Sequence, residues 1–137
     1  PWQQVGFNHP FACALAYDRK DPATIYLAAG NGLIRLTEQG TKWKILTGSD
    51  ITEVRDVSVA PDGAIWYGHS AGIRVSRDLG KTWAEVGGGL RRKYTEAVRA
   101  DRTRAGVVLA GGEDGIHRSE DAGKTWKLAG ASGFGVM

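Results

Sequence analysis

The chain has 137 residues, 42% of them apolar, enough for one domain with a buried core. No apolar run reaches the roughly 20 residues that a membrane-spanning helix needs, and a lone cysteine, Cys13, excludes an internal disulfide. A net charge of +3 is too mild to select nucleic acid by itself, while 20 glycines against 4 prolines indicate many tight turns.

From the N-terminus, "PWQQVG" (1–6) aligns with "KWKILTG" (42–48), "TWAEVGG" (82–88) and "TWKLAGA" (125–131). Trp2, Trp43, Trp83 and Trp126 are thereby spaced by 41, 40 and 43 residues, which marks a structural repeat. Residues 1–6 are expected to form the outer strand of a preceding unit. Three units follow, at 7–46, 47–86 and 87–130, and 131–137 could begin a further inner strand. In the first unit "TIYLAAGNGLIRL" (24–36) carries the pattern that returns as "AIWYGHSAGIRVS" (64–76) and "VVLAGGEDGIHRS" (107–119).

The second unit shows the elements most plainly. "EVRDVSVA" (53–60) alternates apolar residues at Val54, Val57 and Val59, and "PDG" (61–63) turns the chain. "AIWYG" (64–68), "IRVS" (73–76) and "TWAEV" (82–86) supply three more strands, joined by "HSAG" and "RDLGK". Four short strands in about 40 residues describe a propeller blade, so the predicted class is all-β, a β-propeller segment of about three four-stranded blades. Closed rings contain about four to eight blades. The expectation is therefore an incomplete ring, a slice of a longer propeller that self-associates when isolated.

The third-to-fourth-strand turn is written twice in full, as Ser76, Asp78, Gly80, Thr82, Trp83 and as Ser119, Asp121, Gly123, Thr125, Trp126. The first unit holds a degraded copy: Leu36 replaces Ser and Glu38 replaces Asp, while Gly40 and Trp43 survive. An Asp side chain here accepts backbone N–H groups ahead of it, Gly supplies positive φ, and Trp packs a large ring against its neighbours. The motif S-x-D-x-G-x-T-W resembles the Asp-box, or BNR repeat, of sialidase, xyloglucanase-type, sortilin-like and photosystem II assembly-factor propellers. In those families this turn is structural and lies away from the ligand face. The resemblance implies an extracytoplasmic setting.

The opposite rim is predicted to gather the links at 6–11, 47–53 and 87–94 with the second-to-third-strand turns. His9, Asp50, Glu53, His69, Arg91, Arg92, Tyr94, Glu113 and Asp114 fall there as candidate binding residues, against the plainer reading of ordinary solvated loops. Asp50, Glu53, Glu113 and Asp114 include residue types that a glycosidase needs, but no spacing selects a pair. A sialidase resemblance would imply an arginine set and a Tyr nucleophile. Arg91, Arg92 and Tyr94 match in type, yet the Arg-Ile-Pro stretch of that family is absent. His9, His69 and His117 lack the close spacing of a metal site, so no metal and no cofactor is expected. The "RRKY" run with Arg99, Arg102 and Arg104 is the main basic concentration. No nucleic-acid module accompanies it.

The functional expectation is a non-catalytic binding or assembly module whose partner is another protein or further copies completing a ring. The alternative is a fragment of a carbohydrate-active propeller that hydrolyses or binds a glycan.

Overall fold

The computed structural model describes residues 1–2, 12–30, 32–51, 53–88, 90, 95–113 and 115–130. Twelve strands form three antiparallel sheets, each in simple sequence order, and no helix occurs among the described residues. Blade 1 holds β1 (Ala12–Tyr17), β2 (Ile25–Ala29), β3 (Gly32–Thr37) and β4 (Lys42–Ile45). Blade 2 holds β5 (Asp56–Val59), β6 (Ile65–His69), β7 (Gly72–Ser76) and β8 (Ala84–Glu85). Blade 3 holds β9 (Ala97–Ala100), β10 (Val108–Gly112), β11 (Gly115–Ser119) and β12 (Lys127–Gly130). The innermost strands β1, β5 and β9 lie side by side, so the chain is a row of three propeller blades that does not close.

Strand alternation explains how the blades pack. Along β6, Ile65 and Tyr67 face blade 1 while Trp66 faces blade 3, because successive side chains leave opposite faces of a sheet. The middle blade is therefore buried on both sides. Tyr26, Ala28 and Leu33 of blade 1 meet Val57, Val59, Ile65 and Tyr67 in one seam. Trp66, Ile73 and Val75 meet Val98, Val108 and Ala110 in the other. Each fully buried large side chain contributes about 1.5–3 kcal/mol by leaving water. The inner strands are also stitched by polar groups. Asp56 Oδ2 accepts the Val98 N–H at 2.9 Å and an Arg99 N–H at 2.6 Å, and Ser58 Oγ accepts the Ala100 N–H at 2.9 Å.

The twice-written turn has one geometry in both copies. Asp78 Oδ1 accepts the Thr82 N–H at 2.9 Å and Oδ2 accepts the Thr82 hydroxyl at 2.5 Å. Ser76 Oγ accepts the Gly80 N–H at 2.8 Å. Asp121, Thr125, Ser119 and Gly123 repeat these bonds at 2.9, 2.6 and 2.8 Å. Gly80 and Gly123 both take a φ of 85°, a left-handed conformation that a side chain would strain. The following tryptophan bridges blades. Trp83 Nε1 donates to the Leu46 carbonyl at 3.2 Å, and Trp126 Nε1 donates to the Val86 carbonyl at 2.8 Å.

Several expectations differ from what folds. The predicted strand at 53–60 begins only at Asp56, since Glu53 has a φ of 57° and belongs to the link between blades. The fourth strand shrinks to Ala84–Glu85, because Thr82 is consumed by the Asp78 turn. Not all the repeated indoles are buried wedges: Trp83 and Trp126 pack into seams, whereas Trp43 is 52% exposed and Trp2 fully exposed. Trp43 shares the first blade's outward face with Leu15, Tyr17 and Ile45, and no described blade covers that face. The deepest indole is Trp66, in the middle of a strand.

Candidate functional site

The strongest concentration of chemistry lies where blades 1 and 2 meet at the rim opposite the Asp turns. Three strands of blade 2 present a row of paired positions, Tyr67 on β6 opposite Arg74 on β7, opposite Glu85 on β8. One step nearer the rim His69 pairs with Gly72. Gly72 has no side chain, and a Cβ there would lie 2.3 Å from Glu85 Oε1, so the glycine leaves the gap through which Glu85 reaches His69. The link between blades brings Asp50 over the same spot.

The hydrogen bonds fix the roles. The Ala71 N–H donates to His69 Nδ1 at 3.2 Å, which places the imidazole proton on Nε2, 3.2 Å from Glu85 Oε1. Arg74 Nε donates to Glu85 Oε2 at 2.7 Å, and a second guanidinium nitrogen lies 3.6 Å from Asp50 Oδ2, an ion pair too long for a hydrogen bond. Each Glu85 oxygen thereby accepts one hydrogen bond. The Tyr67 ring stands edge-on to Trp83 with centroids 4.9 Å apart, and 5.7 Å from His69. Tyr67 has no exposed surface and its hydroxyl has no hydrogen-bond partner. Its pKa is pushed up to about 12, first by burial, against the opposing pull of the nearby Arg74 guanidinium. The hydroxyl therefore keeps its proton at any ordinary pH and remains a donor without an acceptor.

Among the rim residues expected from sequence, Asp50 and His69 come together here, through Arg74 and Glu85. Glu53 lies on the same link but turns to Arg55, 3.8 Å away, and its N–H holds the Gly30 carbonyl at 2.9 Å. Glu113 stands exposed at the corresponding turn of blade 3. His9, Arg91, Arg92, Tyr94 and Asp114 lie outside the described residues. Of the downstream arginines, Arg99 is tied to Asp56, and Arg104 to Asp101 at 2.9 Å, while Arg102 lines an open groove of about 610 Å³ along the inner strands. No group of three or more potential metal ligands occurs among the described residues, and these contain no helix long and apolar enough to cross a membrane.

Arg74, Glu85 and Tyr67 are absent from the sequence expectation, although a signal for two of them exists. The positions equivalent to Arg74 are Ile34 and His117, and those equivalent to Glu85 are Ile45 and Leu128. Opposite charges on adjacent strands that break the repeat at paired positions mark the middle blade as different.

No protein-family model and no curated protein matches the chain. Solved structures do. YCF48 bound to D1 peptide superposes with a TM-score of 0.74 at 20% identity, covering 93% of this chain and 42% of that one. YCF48 from Cyanidioschyzon merolae gives 0.69 at 20%, covering 85% and 36%. The GH74 xyloglucanase from Xanthomonas campestris gives 0.71 at 20%, covering 86% and 20%. At these identities the likeness establishes the β-propeller fold, and the chain spans well under half the length of each of these relatives.

Proposed function

We propose that the chain is an Asp-box propeller segment and a non-catalytic binding module, holding a protein segment at the rim between blades 1 and 2. The observation that carries this reading is the state of the rim's polar groups. Glu85 is held by His69 and Arg74, Glu53 is turned to Arg55, and Asp50 lies beside Arg74. Carboxylates committed to neighbouring cations are placed to hold a surface in shape rather than to exchange protons with a substrate. The fold likeness to a peptide-bound propeller supports a peptide as the ligand class.

A second role in assembly is favoured by the outward face of blade 1. Leu15 is 59% exposed, Tyr17 58% and Trp43 52%, and they adjoin partly buried Ile25 and Leu27. A contiguous apolar patch of this kind is a protein-contact surface. It supports the reading that another blade, from a partner or a second copy, continues the ring. Light scattering tests this: concentration-dependent mass growth that Tyr17→Glu abolishes is the expected result, and an unchanging monomer opposes it.

The binding function is tested with a peptide array probed by the chain and by its Arg74→Ala variant, beside a glycan array and a glycoside hydrolysis screen. Peptide capture that the variant loses is expected. Turnover abolished by changing Asp50, Glu53 or Glu113 would overturn the reading in favour of a carbohydrate-active propeller.

A further inference from the structure

We infer that the rim site is a carboxylate receptor, in which an incoming peptide carboxylate displaces Asp50 and bridges the Arg74 guanidinium and the Tyr67 hydroxyl. The inference rests on the proposed peptide-binding function and names the chemical group that the site selects.

Donor and acceptor accounting leads to it. The donors converging on the seam are the Tyr67 O–H, the His69 Nε2–H and the guanidinium of Arg74. The carboxylates at the seam are Glu85, whose two oxygens accept from His69 and Arg74, and Asp50, which approaches one guanidinium nitrogen only to 3.6 Å; neither accepts the Tyr67 hydroxyl. Even an N–H from Arg74 directed at the phenol oxygen would leave the phenol hydrogen without an acceptor. A buried unsatisfied hydroxyl is costly, and more than nine in ten buried polar groups in folded proteins avoid that state. The phenol hydroxyl lacks an acceptor and Arg74 holds Asp50 only loosely, and an incoming carboxylate supplies two oxygens in the plane that a guanidinium prefers.

Arg74 can be reached from solvent. The Asp50 side chain is 68% exposed on the link between blades, and Arg74 is 27% exposed beneath it. Asp50 occupies the position as a loosely held internal carboxylate. A carboxylate taking the place of Asp50 would meet the guanidinium first and reach the buried phenol hydroxyl beside it. Glu85 and His69 stay in place and keep Arg74 aimed, since the Ala71 N–H fixes the imidazole tautomer and Gly72 keeps the gap clear. These two are positioning residues.

Titration of isotope-labelled chain, followed by NMR at the Arg74 Nε–H and the Ala71 and Gly72 amides, decides the matter. The probes are short acetylated alanine peptides carrying one Asp side chain with an amidated end, the matching Asn peptide, and an all-alanine peptide with a free or amidated C-terminus. Saturable shifts are expected for carboxylate peptides, with Kd on the order of 1 mM, and at least about threefold weaker binding for the carboxamides. The comparison of Asp side chain with free C-terminus identifies which source of the carboxylate fits better. Tyr67→Phe, which removes only the hydroxyl, is expected to weaken carboxylate binding about three- to tenfold and leave melting unchanged or slightly raised. Asp50→Asn is expected to tighten it by a similar factor. Peptides that shift the rim equally with carboxylate and carboxamide, or equally in wild type and Tyr67→Phe, overturn the carboxylate assignment and leave peptide binding standing. Absence of any shift with every peptide overturns both.

Discussion

At the scale of single residues, the aspartates of the two full turns act as fixed anionic hinges. Hydrogen bonds from the Thr82 hydroxyl, then the Thr82 backbone N–H and the Ser76 hydroxyl, lower the Asp78 pKa from 3.8 to about 2. The Thr125 hydroxyl and then its N–H do the same for Asp121, also to about 2. A carboxylate whose folded pKa is depressed stabilises the fold fully above its unfolded pKa near 4, and loses that contribution as pH falls through the folded value near 2. Urea midpoints measured from pH 5 to pH 2 should therefore fall, and the double variant Asp78→Asn, Asp121→Asn should flatten that fall while lowering the midpoint at pH 7. A slope unchanged by the double variant would assign acid sensitivity elsewhere. The same accounting sets Tyr67 apart, together with the buried Trp66 indole: every hinge donor has an acceptor, whereas the Tyr67 hydroxyl and the Trp66 Nε1–H have none.

At the scale of elements, identical turns meet different neighbours. Gly80 and Gly123 share a φ of 85°, so Ala strains both backbones about equally, at a cost of about 1 kcal/mol. A Cβ at Gly80 meets the terminal methyls of Leu46, the nearest at 2.9 Å, which can rotate away. A Cβ at Gly123 meets Val86 Cβ at 2.8 Å and the Trp66 ring at 3.3 Å, neither free to move. Gly123→Ala should thus cost about 2 kcal/mol or more by chemical denaturation, clearly exceeding Gly80→Ala. The indoles show the same dependence on place. Trp126→Ala, which empties a seam and strands the Val86 carbonyl, should cost about 3 kcal/mol, whereas Trp43→Ala on the open face should cost less than half as much. Equal losses at both positions would contradict the seam assignment.

At the scale of the whole row, blades are joined by apolar seams and by the inner-strand stitching of Asp56 and Ser58. Asp56 is buried, so its removal leaves the Val98 N–H without an acceptor as well as Arg99 without its carboxylate. Asp56→Ala should cost about 2–3 kcal/mol and speed hydrogen exchange first at Val98. Slowed or unchanged exchange there would show that the seams alone hold blade 3 in place. The rim cluster depends on the seam between blades 1 and 2, because its members come from β6, β7, β8 and a link that leaves blade 1.

By itself, the sequence determined the all-β class, the number of blades, the order of strands and the chemistry of the turns. Those features repeat in register, and each rests on contacts within about ten residues, where spacing and residue type are sufficient. Only the tertiary structure decided which repeated residues are buried, since Trp43 and Trp83 read alike until one blade is laid against another. It also decided the site. Arg74 and Glu85 are eleven positions apart and Tyr67 lies on a third strand, so their meeting depends on strand register and on the space left by Gly72. The orphaned phenol is set by what the neighbouring side chains fail to supply, and no pattern along the chain records an absent hydrogen-bond acceptor.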